Sequence, residues 1–126
     1  MNNWIELSGR LLLGHIFLLA GVNKIGGYDG TVAYMEAMGV PGGLLPAVIV
    51  LEIVGGLAVI VGYRTRWACY ALAAFTLLAT ALFHADLDDT VQRIMLMKNL
   101  SITGGLLLLA AHGAAALSLD ARLTGR

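Results

Sequence analysis

Apolar residues in this chain fall into four long runs separated by short polar or glycine-rich breaks. The clearest run is Leu44 to Tyr63, LLPAVIVLEIVGGLAVIVGY, in which Glu52 is the only ionisable side chain before the closing tyrosine. About 20 residues rising ~1.5 Å each span the ~30 Å hydrocarbon layer of a bilayer, so this run is long enough to cross one. The other runs extend from about Ser8 to Ile25, from Trp67 to about His84, and from roughly Lys98 to Leu117. Together they predict one domain over residues 1–126, an all-α integral membrane four-helix transmembrane bundle with helices at about 8–25, 44–63, 67–84 and 98–117.

The runs carry stripes at helical spacing. Arg10, Gly14, Phe17, Gly21 and Lys24 repeat at intervals of 4, 3, 4 and 3 and form one face of the first helix. Small residues on such a face let a neighbouring helix approach closely. Glu52, Gly56, Val59 and Tyr63 share a face of the second helix, whose Pro46 falls in the first turn, where a missing N–H does no harm. Cys69, Ala73, Thr76, Thr80 and His84 form the most polar side of the third helix, and Gly104 and Gly105 predict close packing in the fourth.

The breaks are informative too. Gly26, Gly27, Tyr28, Asp29 and Gly30 interrupt the first helix. Thr31 to Met38 then forms a short helical patch, with Val32, Tyr34, Met35 and Met38 as apolar anchors. This interfacial segment is expected to lie flat at the membrane surface or to fold over the bundle as a lid. Its tyrosines and methionines are read as anchors rather than as a substrate gate. Arg64, Thr65 and Arg66 make a tight basic loop. Asp86, Asp88 and Asp89 precede a helical stretch from Thr90 to Met97 that can run straight into the fourth helix, and acidic groups there suit the positive end of its dipole.

Composition narrows the class. Hydrophobic residues make up 59% of the 126 and charged residues 13%, against about 25% charged in soluble domains. Mean hydropathy is +0.83. A polytopic membrane protein follows, with the lipid bilayer as its obligatory partner. The formal net charge of zero gives no electrostatic footprint for nucleic acid. The single Cys69, set in an apolar run, excludes an intrachain disulfide and a cysteine-based metal motif. The first run lacks a small-residue cleavage site of the A-x-A kind after it and is read as a retained helix.

Four spans put both termini on one side. That side carries Arg10, Arg64, Arg66, Arg122 and Arg126, while the other carries Lys24, Arg93 and Lys98. The positive-inside rule therefore predicts cytoplasmic termini.

With that topology every helix brings a polar group to one outer-half layer: Lys24 from the first, Glu52 from the second, His84 from the third, and Lys98 with Asn99 from the fourth. A carboxylate facing lipid costs at least ~2.5 kcal/mol on insertion scales, so Glu52 must meet protein, water or a partner cation. Two readings stand side by side. One is a structural ion pair and hydrogen-bond network that fixes helix order. The other is a small-molecule pocket between the helices. A quinone or other small aromatic ring suits that pocket, with His84 or Lys98 donating to its carbonyls and Glu52 handling a proton. The acidic residues beside His84 are read as solvated rather than as a metal site. His15 and His112 are read as packed structural side chains rather than a haem or relay pair, and Cys69 as core packing.

The segments GRLLLGHIFLLAGVNKIGGY, YMEAMGVPGGLLPAVIVLEIVGGLAVIVGYRTR, and FH followed by MKNLSITGGLLLLA carry a further signal. In order they give a G-x-x-K end to the first helix, a glutamate followed by a glycine pair, and K-N before a second glycine pair. From Gly9 to about Ala111 the chain resembles the DoxX family of small bacterial inner-membrane proteins. The resemblance implies a four-helix inner-membrane protein linked to redox stress or to quinone-like and aromatic compounds. It places Lys24, Glu52, His84, Lys98 and Asn99 at the motif positions and supplies no catalytic set. With no haem, flavin or iron–sulfur motif, the chain alone is not expected to be a complete redox enzyme. The expected function is a redox-associated protein holding a quinone-like ligand, with no covalently bound cofactor, as a homo-oligomer or a subunit beside a membrane redox partner. The alternatives are a non-enzymatic scaffold or assembly protein and a small-molecule transporter.

Overall fold

A computed structural model describes residues 3–83, 86–114 and 117–123, and every regular element among them is helical. The helices are α1 (Asn3–Gly26), α2 (Tyr28–Ala37), α3 (Leu45–Val61), α4 (Thr65–Phe83), α5 (Thr90–His112) and the short α6 (Leu119–Leu123). A single 3₁₀ turn, Gly42–Leu44, leads into α3. By length and composition α1, α3 with its leading turn, α4 and α5 are each able to cross a membrane. The four-helix expectation therefore holds.

The boundaries differ from the sequence reading for local reasons. α5 begins at Thr90 because the stretch to Met97 does join it, and the Asp89 side chain caps its start by accepting from Val91 N–H at 2.9 Å and Gln92 N–H at 3.3 Å. It ends at His112, five residues before the expected Leu117, where Gly113 turns out of the helix at φ 72°. α3 likewise stops at Val61 because Gly62 takes the left-handed conformation at φ 72°.

Packing is pairwise. α1 lies along α3, α4 lies along α5, and the α3–α4 contact joins the two pairs, while α1 and α5 barely touch. The stripe read from the sequence is the contact face of α1: Arg10, Gly14, Phe17 and Gly21 are all buried. At its centre Gly14 and Gly56 face each other. A Cβ on Gly56 would sit 2.8 Å from both the Gly14 carbonyl oxygen and the Leu18 backbone nitrogen. A Cβ on Gly14 would sit 2.8 Å from the Gly56 carbonyl oxygen. Between membrane helices, where lipid is as apolar as leucine, such close approach supplies the attraction that the hydrophobic effect supplies in water. Gly55 serves α4 in the same way by admitting the Leu72 side chain. The glycine pair of α5 does not behave as expected: Gly104 has nothing within 4 Å of its Cβ position, and Gly105 meets only Leu13 at an ordinary 3.6 Å.

One end of the bundle is tied by polar groups. Arg10 is 1% exposed; its guanidinium pairs with Glu6 at 2.8 Å and donates to the carbonyl oxygens of Ile60 at 3.0 Å and of Leu117. Asp120 accepts from the backbone N–H groups of Arg64 at 2.6 Å and Thr65 at 2.9 Å, and from the Thr65 hydroxyl at 2.8 Å. Burial opposes its ionisation, but those hydrogen bonds hold its carboxyl below the usual carboxylate range. A residue from α6 thus takes up two backbone donors at the start of α4.

The α1–α3 approach has a direct test. Gly56→Val should cost about 1–3 kcal/mol of stability, because the added atoms meet backbone that cannot step aside. Gly104→Ala, on an open face, should change it by no more than about 0.5 kcal/mol. Reversible unfolding in mixed micelles reads both, and equal stability of the two variants would refute the close approach.

Candidate functional site

α2 converts the helix pairs into an enclosure. It folds across the end of the bundle, where Met35 is buried with Leu45 and Ile49 of α3, and Tyr34 stacks on Phe83 of α4 with ring centroids 5.4 Å apart. The lid placement therefore applies, and Tyr34 and Met35, read as interfacial anchors, also pack against α4 and α3. Both side chains line a cavity of about 350 Å³ between α1, α2, α3, α4 and α5. That volume falls at the lower end of the ~300–1,000 Å³ typical of small-molecule sites. The wall is mostly aliphatic and aromatic, with Phe17, Phe75 and Phe83 contributing rings.

The polar part of the wall is small and ordered. Glu52 faces inward from α3 with its side chain 4% exposed, and the Lys24 ammonium reaches back from the end of α1 to bond its carboxylate at 2.6 Å. Gly21, one turn before Lys24 on α1, makes this reach short, since a Cβ there would lie 3.3 Å from the Glu52 Cβ. The pair satisfies the cost that a lone carboxylate would carry in this apolar segment. Lys24 retains 29% exposure and has two further N–H donors. Across the cavity Asn99 of α5 donates through its amide nitrogen to the Thr80 hydroxyl at 2.9 Å, and the Thr76 and Thr80 hydroxyls each donate to the carbonyl one turn back. Lys24, Glu52, Thr76 and Asn99 all line the space.

The expected constellation is thus brought together in part. Lys24, Glu52 and Asn99 share the cavity. Lys98 does not: it is exposed and absent from the wall, because its neighbour Asn99 takes the inward position and successive helical residues point about 100° apart. His84 lies outside the described residues. Tyr34, Phe75 and Phe83 were missed as wall residues. The aromatic positions of α4 follow no polar stripe, and α2 shows no strong amphipathic period. The stripe of α4 itself was legible, with Cys69, Ala73, Thr76 and Thr80 all buried. Cys69 is core packing as expected. His15 and His112, expected to be packed, are both exposed.

A charged pair of this kind predicts a sign pattern. Lys24→Met leaves Glu52 buried without its cation and should cost about 3 kcal/mol of stability. The double variant Lys24→Met with Glu52→Gln should recover a large part of that loss. Denaturant titration in bilayer discs measures both, and a double variant no more stable than the single one would contradict the pairing.

Comparison with known proteins adds the following. The sequence model of the DoxX family matches residues 5–85. The chain is 52% identical over 114 residues to the inner membrane protein YqjF of Escherichia coli (strain K12), covering 90% of this chain and 88% of that one. It is 36% identical over 123 residues to the inner membrane protein YphA of the same organism, covering 92% and 88%. A shorter match, 30% identical over 69 residues and 52% of each chain, is to a Bacillus subtilis (strain 168) protein named "Putative oxidoreductase CatD". No solved structure matches the chain.

Proposed function

The chain belongs to the DoxX family, and from that premise we propose that it is a multi-pass inner-membrane protein that binds a quinone-like or small aromatic ring in the Glu52 cavity. The observation that carries this reading is an aromatic-lined space of about 350 Å³ whose sole ion pair sits on its wall, among the described residues, rather than sealed in a packed helix contact. A planar ring packs between Phe17, Phe75 and Tyr34. A ring carbonyl takes a hydrogen bond from one of the two spare Lys24 N–H donors, and the Glu52 carboxylate beside it serves as the proton acceptor or donor. The Asn99 amide and the Thr76 hydroxyl give the opposite wall acceptor capacity for a ring hydroxyl. The named oxidoreductase among the relatives supports a redox association, reached together with a membrane redox partner or within a homo-oligomer.

Binding of a tail-less naphthoquinone to protein in bilayer discs, measured against empty discs, tests this. Lys24→Met should weaken it by about 10–100-fold, the equivalent of one charge-assisted hydrogen bond. Ala79→Phe, which fills the cavity from α4 without touching the ion pair, should abolish it. Unchanged affinity in Ala79→Phe would remove the cavity from the function. A second reading, a non-enzymatic scaffold, draws on the uncovered notch at Gly104 on α5, where a partner helix has room to approach. Under that reading Ala79→Phe has no phenotype.

We also propose that both termini are cytoplasmic. Arg10, Arg64 and the α6 segment meet at the end of the bundle opposite Lys24, so the basic excess is spatial as well as sequential. A topology reporter fused at either terminus should read cytoplasmic, and a periplasmic signal would invert the bundle.

A further inference from the structure

α1 and α5 are both long helices of the bundle, yet they leave a seam between them. The seam has two sections. Its inner section is the side of the Glu52 cavity formed by Ile16 of α1 with Met95 and Ile102 of α5. Its outer section is a second cleft of about 480 Å³, lined by Leu12 and Leu13 of α1 and by Ile102, Gly105 and Leu109 of α5. Ile102 lines both, so the two spaces adjoin along one track. From Ile102 to Leu109 that track is about 10 Å long at the rise of a helix.

The track has three physical properties. Its walls are apolar along this length apart from Ser101, whose hydroxyl donates to the Met97 carbonyl, and the charged Glu6–Arg10 pair comes at its far end. It is open to the surroundings of the bundle, since Leu12 and Ile16 are 70% and 45% exposed on its rim. It is also kept wide by Gly105, whose missing side chain leaves only Leu13 at 3.6 Å and 3.8 Å. In a bilayer those rims face acyl chains. A ligand confined to the Glu52 cavity would leave the adjoining outer cleft to lipid.

Resting on the ring-binding reading above, we propose that the ligand is a membrane-partitioned amphiphile, a ring bearing a long apolar tail. The ring lies in the Glu52 cavity and the tail lies in the α1–α5 seam past Ile102 and Gly105. Entry is lateral from the hydrocarbon layer between α1 and α5. The tail leaves to the bilayer before Glu6 and Arg10, because an alkyl chain offers no hydrogen bond to a charged pair and would only screen it further from water.

The experiment compares two probes on one protein in bilayer discs: a tail-less naphthoquinone and the same ring with a ten-carbon tail ending in a diazirine. Each is read against empty discs of the same lipid. Gly105→Leu fills the outer cleft, and the ordinary clearance at that Cβ lets the chain fold. In this variant the tailed ring should lose about tenfold in affinity relative to wild type, while the tail-less ring stays within about twofold. Photolysis of the tailed probe on wild type should label peptides containing Leu12, Leu13 and Leu109. Unchanged affinity of both rings in Gly105→Leu overturns the tail assignment, as does equal loss of both, or labelling confined to α3 and α4. In each of those outcomes the ring-binding reading stands on the wild-type affinity of the tail-less probe. Failure of that probe to bind wild type removes the ring-binding reading and the tail assignment with it.

Discussion

A carboxylate inside an apolar helix has to be answered, and Lys24 answers Glu52 at 2.6 Å. That contact constrains how α1 lies on α3, because an ammonium at the end of one helix reaches a carboxylate in the middle of the other only if the axes are close. Gly14, Gly21 and Gly56 provide the closeness. The charge pair and the glycine contacts are therefore two halves of one requirement. Without the glycines the lysine falls short, and without the pair the glycine contact would bury an unanswered charge.

The cavity is a by-product of that arrangement. α1 is committed to α3 and α4 to α5, so the four helices form two tight pairs rather than an evenly packed square. The gap between the pairs is closed on one side by α3 against α4 and capped by α2 through Met35 and Tyr34. It stays open on the α1–α5 side. Aromatic and aliphatic side chains fill most of the walls, and the Lys24–Glu52 pair gives the space a charged edge.

The opposite end of the bundle does the reverse and spends its polar groups on closure. Arg10, the largest fully buried side chain, ties α1 to the end of α3 and to the chain just before α6. Asp120 of α6 caps α4. Gly62 makes room for this, since a Cβ there would collide with Ser118 and with the Arg10 guanidinium. One end is thus locked by hydrogen bonds between segments far apart in the chain, while the other is roofed by a short helix held mainly through apolar and aromatic contact. Opening of the roof costs fewer hydrogen bonds than opening of the floor.

The sequence by itself determined the four apolar helices, the buried stripe of Arg10, Gly14, Phe17 and Gly21, the polar side of α4, and the need for Glu52 to find a partner. These follow from periodicity and from the cost of a charge in hydrocarbon, both of which are local. Tertiary structure alone decided that the partner is Lys24 rather than Lys98. Two lysines at the same depth are equivalent along the chain, and only helix rotation and the α1–α3 approach tell them apart. It also decided that the glycines of α1 and α3 pack while Gly104 does not, and that Tyr34 of α2 meets Phe83 of α4 to wall a cavity. Contacts between residues this far apart in the chain leave no periodic trace in either segment.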